Sequence, residues 1–84
     1  MKYKINKDLL FERKGKKVTI FDPEKSTIIL MNETGSFILN QIKKDIDIHN
    51  IVNILGKKYN QTEKKLYRDT AIFLKELKKL KIII

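Results

Sequence analysis

The sequence predicts an α+β fold in the order βββααα, and three observations carry that prediction. Up to Met31 the chain holds short, β-branched apolar runs divided by turn residues. Beyond Met31 it holds three stretches with apolar residues at helical spacing, each preceded by a capping residue. The change from one regime to the other falls inside a single string, "ILMNETGSFIL", Ile29 to Leu39. With 84 residues, 42% of them hydrophobic and 35% charged, the chain can bury one small core. One domain over residues 1–84 is therefore expected.

Strands are expected near 5–12, 17–22 and 27–31, as an antiparallel meander. Lys14-Gly15 supplies the first turn, because glycine takes positive φ at little cost. Asp22-Pro23-Glu24-Lys25 suits a type I turn, with Asp first and Pro second. In the middle run Val18 and Ile20 alternate with Thr19 and Phe21. The third run, Thr27 to Met31, is apolar after Thr27. It carries no charge, proline or bulge residue of the kind that usually blunts a sheet edge.

The first helix is expected to be capped by Asn32, with Glu33 in its first turn and Phe37, Ile38, Gln41 and Ile42 recurring behind. A second begins after Asp47 and turns Ile48, Ile51, Val52, Leu55 and Tyr59 to one side. Thr62 is the expected cap of the third. Its main stripe is Leu66, Thr70, Phe73, Leu77 and Leu80, widened on one flank by Tyr67, Ala71 and Leu74. The closing "KIII" reads as a tail that seals the core. Two helices in sequence beside a small sheet give the fold a winged helix-turn-helix-like character.

Composition removes most chemistry. Without cysteine there is no disulfide, no thiol catalysis and no Cys-based zinc site. His49 is the sole histidine, too few for a metal site and without an evident orienting partner for catalysis. Asp45 and Asp47 serve most simply as turn and cap. No glycine-rich phosphate loop exists among three glycines. No catalytic residue, metal site or cofactor is expected, and the protein reads as a binding module rather than an enzyme. No apolar run nears the ~20 residues that span a bilayer, and "MKYKINKD" lacks a signal peptide's apolar block. A cytosolic protein with no membrane partner is expected.

The formal charge is +9. Residues 57–84 hold nine basic and three acidic residues, and residues 1–31 hold eight and four. Residues 32–56 hold two and three, so the excess sits at the two ends. Lysine and isoleucine are frequent throughout, so composition alone accounts for much of this charge. The remainder suits an acidic peptide or a polyanion.

The strings "MNETGSFILNQI", "DIHNIVNILGKKY" and "LYRDTAIFLKELKKLKII" together resemble the PqqD-like family, over about residues 17–84. Met31, Asn32, Glu33, Thr34, Gly35, Ile38 and Leu39 fall on its first motif. Ile51, Leu55 and Tyr59 fall on its second, and Asp69, Phe73, Leu74, Leu77 and Ile82 on its third. Each motif is short, and the spacing is the specific part. The resemblance implies a stand-alone recognition element of a pathway for ribosomally made natural products. Such an element binds the leader of a precursor peptide as an added antiparallel strand and acts as a chaperone. It delivers the peptide to a modification enzyme such as a radical SAM enzyme, a protease or a cyclase.

Carried onto this chain, the leader runs along Thr27, Ile28, Ile29, Leu30 and Met31. Winding the third helix at 100° per residue puts Lys64, Tyr67, Ala71, Leu74 and Lys78 on one flank, with Arg68 and Lys75 just beyond. Asp69, Ile72 and Glu76 lie on the other. The first flank mixes apolar and basic groups and is taken as the second wall, which favours a partly acidic leader. On this reading proline at Ile29 removes an edge donor. A homodimer is compatible with the sequence. The rival reading is a winged-helix DNA-binding protein, and an antitoxin-like or scaffold protein using the same edge is a third. The outer face of the third helix is Lys64, Arg68, Lys75 and Lys79, with no Asn or Gln to read base edges. No nucleic-acid partner is therefore expected.

Overall fold

The computed structural model describes residues 3–84. Strands β1 (Leu10–Lys14), β2 (Lys17–Asp22) and β3 (Thr27–Leu30) precede helices α1 (Glu33–Lys43), α2 (Ile48–Tyr59) and α3 (Glu63–Lys79). The sheet is an antiparallel meander with β2 in the centre. Gly15, at φ +61°, makes the β1–β2 turn. Asp22 Oδ1 accepts from the backbone N–H groups of Glu24 and Lys25 and folds the β2–β3 turn.

The βββααα order is as expected, but the first strand is displaced. Its expected range, 5–12, splits in two. Asp8 N–H donates to Asn6 Oδ1 at 3.0 Å and Leu9 N–H to the Asn6 carbonyl at 3.4 Å, so the chain turns there. Ile5 pairs with Ile83 instead of entering the sheet. Asn6 N–H donates to the Ile82 carbonyl at 2.9 Å, and Asn6 Nδ2 to the Lys81 carbonyl at 2.8 Å. Lys81 turns the chain back with φ +60°. This clasp carries the expected apolar tail into the core, where Ile82 and Ile83 are fully buried.

Register sets two faces on the sheet. Val18, Ile20, Ile29 and Met31 point to the helices, where the core forms with Ile38, Leu39, Ile42, Ile51, Val52, Leu55, Leu66, Leu74 and Leu77. Leu10, Phe21 and Ile28 form one cross-strand row on the opposite face, beside Leu30. Asn32 Oδ1 accepts from Gly35 N–H at 2.7 Å and Asp47 Oδ1 from Asn50 N–H at 2.9 Å, as their cap positions require. Thr62 occupies the N-cap of α3 but its side chain makes no capping bond. Leu80, expected in the α3 stripe, is 48% exposed, because it lies past the last helical turn.

Ser36 ties the two halves together. Its side chain is buried, and its Oγ accepts from Val18 N–H at 2.9 Å and donates to the Met31 carbonyl at 3.4 Å. Ser36→Ala is expected to lower unfolding free energy by about 1–3 kcal/mol, because it leaves Val18 N–H buried without an acceptor. Urea unfolding checks this, with exposed Ser26 as the control position.

Candidate functional site

β3 ends the sheet, with β2 on one side and no strand on the other among the described residues. Which of its groups face that free edge follows from the ladder. Met31 N–H donates to the Val18 carbonyl at 3.0 Å, so Val18 and Met31 form a hydrogen-bonded pair. Antiparallel pairs alternate, so Ile20–Ile29 is also hydrogen-bonded while Thr19–Leu30 and Phe21–Ile28 are not. The N–H and C=O groups of Ile28 and Leu30 therefore point to the open edge. Those of Ile29 point to β2. Proline at Ile29 would break the ladder rather than remove an edge donor, which corrects the expectation from sequence.

The side chains at this edge are unusual for an unpaired strand. Ile28 is 65% exposed and Leu30 78%, with neither charge nor proline between Thr27 and Met31. Ile29 is half-buried and Met31 is buried, both on the helix side. Main-chain groups and apolar side chains are thus offered along one short line.

The flanks of α3 differ from each other in what they face. Leu74, expected on the ligand-facing flank, is 1% exposed and belongs to the core. Tyr67 lies against α2, its ring centroid 5.2 Å from that of His49. Ala71 is half-buried, while Lys64, Arg68, Lys75 and Lys78 are exposed. Phe73, in the core stripe, reaches Gly35 and Met31 just past the end of β3. A Cβ added at Gly35 would meet Phe73 Cζ and Met31 Cε at 3.0 Å each, and Asn32 Oδ1 at 3.1 Å. A Cβ there would press on the ends of the Met31 and Phe73 side chains, so Gly35 lets the cap and that ring lie close together. Helical spacing places Asp69, Ile72, Glu76 and Leu80 on the Phe73 side. Phe73 packs against the core cluster, as its place in the α3 stripe predicts, and also lies at this junction. Its one signal as a junction residue was the glycine that makes room for it.

No group of three or more His, Asp or Glu side chains that could hold a metal occurs among the described residues. No helix there is long and apolar enough to cross a membrane.

A family model described as coenzyme PQQ synthesis protein D (PqqD) matches residues 17–83. The chain belongs to the PqqD family. No curated protein matches it. Two solved structures share the fold of this PqqD-family chain. One is TbiB1 in complex with the TbiA(beta) leader peptide, 19% identical, with a TM-score of 0.88 over 99% of this chain and 94% of that one. The other is lasso peptide synthetase B1 complexed with the leader peptide, 13% identical, with a TM-score of 0.92 over 100% of this chain and 99% of that one.

The alternation along β3 has a direct readout. In the free protein, amide hydrogen exchange is expected to be fast at Ile28 and Leu30 and slow at Ile29 and Met31, whose N–H groups are held in the ladder. Equal protection at all four positions, measured by NMR, would mean that the edge is covered in solution.

Proposed function

We propose that this PqqD-family protein captures the leader of a ribosomally made precursor peptide as a fourth antiparallel strand on β3. It then hands the peptide to a separate modifying enzyme. The observation that supports this most directly is the open edge at Ile28 and Leu30, apolar and without the usual protection. The leader complexes of the two structural neighbours point the same way.

An added strand would meet two donors and two acceptors, from Ile28 and Leu30. At about 0.5–1.5 kcal/mol net per hydrogen bond, these supply only part of the ~8 kcal/mol of a micromolar complex. Side chains must supply the rest. Alternate leader residues would extend the outer row of Leu10, Phe21 and Ile28. The others would point towards the helices, into the angle between β3 and the Phe73 flank of α3. That flank, with Ile72 and Leu80 beside Phe73, is the second wall we favour over the one carrying Lys64, Tyr67, Arg68, Ala71, Lys75 and Lys78. It calls for apolar leader side chains and disfavours carboxylates opposite Asp69 and Glu76.

In this role the protein does no chemistry. It acts in the cytosol by raising the effective concentration of the peptide at a radical SAM enzyme, protease or cyclase.

The test is fluorescence titration with a labelled leader peptide from the neighbouring precursor gene, against duplex DNA as control. Ile28→Pro removes an outward-facing donor and blocks strand approach. It is expected to weaken the leader about tenfold while the variant stays folded. Ile29→Pro is expected to unfold the protein instead. Unchanged leader affinity in folded Ile28→Pro would overturn the site. Tight DNA binding with a steep salt slope and no leader binding would overturn the function.

A further inference from the structure

The edge of the sheet opposite β3 also has an open groove. By register, Phe11 and Arg13 of β1 point to the helix side, opposite Ile20 and Val18. Those positions would normally be core. Yet every residue of β1 is exposed, because the helical layer stops short of this edge. Beneath the overhang lies a cavity of about 720 Å³, between β1, the clasped N-terminal segment and α1. Leu9, Val18, Leu39 and Ile42, all buried, form its aliphatic floor. Lys4, Lys7, Arg13 and Lys43 stand around it, with Asp45 as its acidic member. A second cavity, of about 360 Å³, shares Arg13 and Asn40 with the first and continues the groove towards the end of α2. Lys16, Glu33 and Lys58 line it there, and the Lys58 ammonium lies 4.6 Å from the Phe37 ring centroid.

We infer that this groove is a second binding site, distinct from the β3 edge, for an acidic protein segment with aliphatic anchors. The charge of the lining selects the sign: six cations against two carboxylates. The floor selects the class. Its buried aliphatic side chains take Leu or Ile anchors, which nucleic acid lacks. Tyr3, Phe11, Phe37 and Tyr59 also line the groove, so single-stranded nucleic acid, which stacks on aromatic rings, is the rival occupant that the test includes. The segment belongs to the surface of the enzyme that acts on the captured peptide, and this identity alone rests on the leader reading. Lys4, Lys7, Leu9, Phe11 and Arg13 precede residue 17, so the site uses chain outside the stretch matched to the family. With the leader on β3 and the enzyme segment beside β1, the two ligands occupy opposite edges of one sheet and do not compete.

The test uses the full chain, labelled with nitrogen-15, and the synthetic peptide acetyl-ELEDLLEDI-amide. Its amide shifts are expected to move at Leu9, Phe11, Arg13, Leu39 and Lys43 and to stay fixed at Ile28 and Leu30. The neutral analogue, with Gln and Asn for Glu and Asp, is expected to bind about tenfold more weakly. The double variant Arg13→Glu/Lys43→Glu, both at exposed positions, is expected to lose a similar factor while binding the leader as before. Shifts confined to β3 and α3, equal binding of the neutral analogue, or tighter binding of a short oligothymidylate in the groove would each overturn the proposal. Leader affinity is measured separately. Groove binding without leader binding supports the groove and defeats the leader reading, and the reverse result defeats the groove alone.

Discussion

At the end of β3 the ladder to β2 is closed by a side chain. Met31 N–H reaches the Val18 carbonyl directly, but the reciprocal bond passes through the Ser36 hydroxyl. A hydroxyl can accept and donate at once, so it can stand between two backbone groups that lie too far apart to meet. Because Ser36 is in the first turn of α1, this insertion fixes the helix to the strand pair at a set angle. Asn32 caps the same turn from the strand side. The consequences run in both directions along the chain. The register of β3 is held, which decides that Ile28 and Leu30 rather than Ile29 present their backbone to the open edge. The start of α1 is held too, which leaves Gly35 as the floor on which Phe73 of α3 rests.

Among the described residues no further strand pairs with either edge of the sheet, and each edge is left so for its own reason. β3 is open because the chain leaves it directly into α1, and no later segment returns beside it. β1 is open because the segment before it turns at Asn6 and pairs with the C-terminal tail instead. The clasp of residues 4–6 with 82–84 thus closes the bottom of the core and leaves an overhang above α1. Charge divides the two edges further. The β3 line is uncharged, whereas basic side chains crowd the groove on the β1 side. One edge suits a strand held by backbone bonds, and the other suits a segment held by charge and aliphatic contact.

Much of this was legible in the residues. Asn32 and Asp47 announce their helices because a side-chain acceptor three residues ahead of a free N–H is a local device, independent of the rest of the fold. The stripe Ile48, Ile51, Val52, Leu55 and Tyr59 announces its buried face for the same reason, because helical spacing is set within a few residues, although Tyr59 at the helix end is 40% exposed. The apolar line from Ile28 to Met31 was visible as a run without charge or proline, but whether it was covered or free was not. What failed to show was anything set by distant partners. Ile5 looked like the start of a strand, and its true partner, Ile83, is at the other end of the chain. Leu74 and Phe73 are adjacent and both apolar. Helical winding separates them by 100°; both pack in the core, and only the tertiary structure shows that Phe73 also reaches Gly35.

The sequence by itself therefore determined the element order, the caps, the turn glycine and the family pattern, since each is written in spacings of a few residues. The tertiary structure alone decided which backbone groups of β3 are free, that Phe73 of α3 lies beside Gly35 and Met31, and that β1 overhangs a basic groove. Those three depend on register and on long-range contacts, whose energies arise between residues far apart in the chain and leave no local periodicity to read.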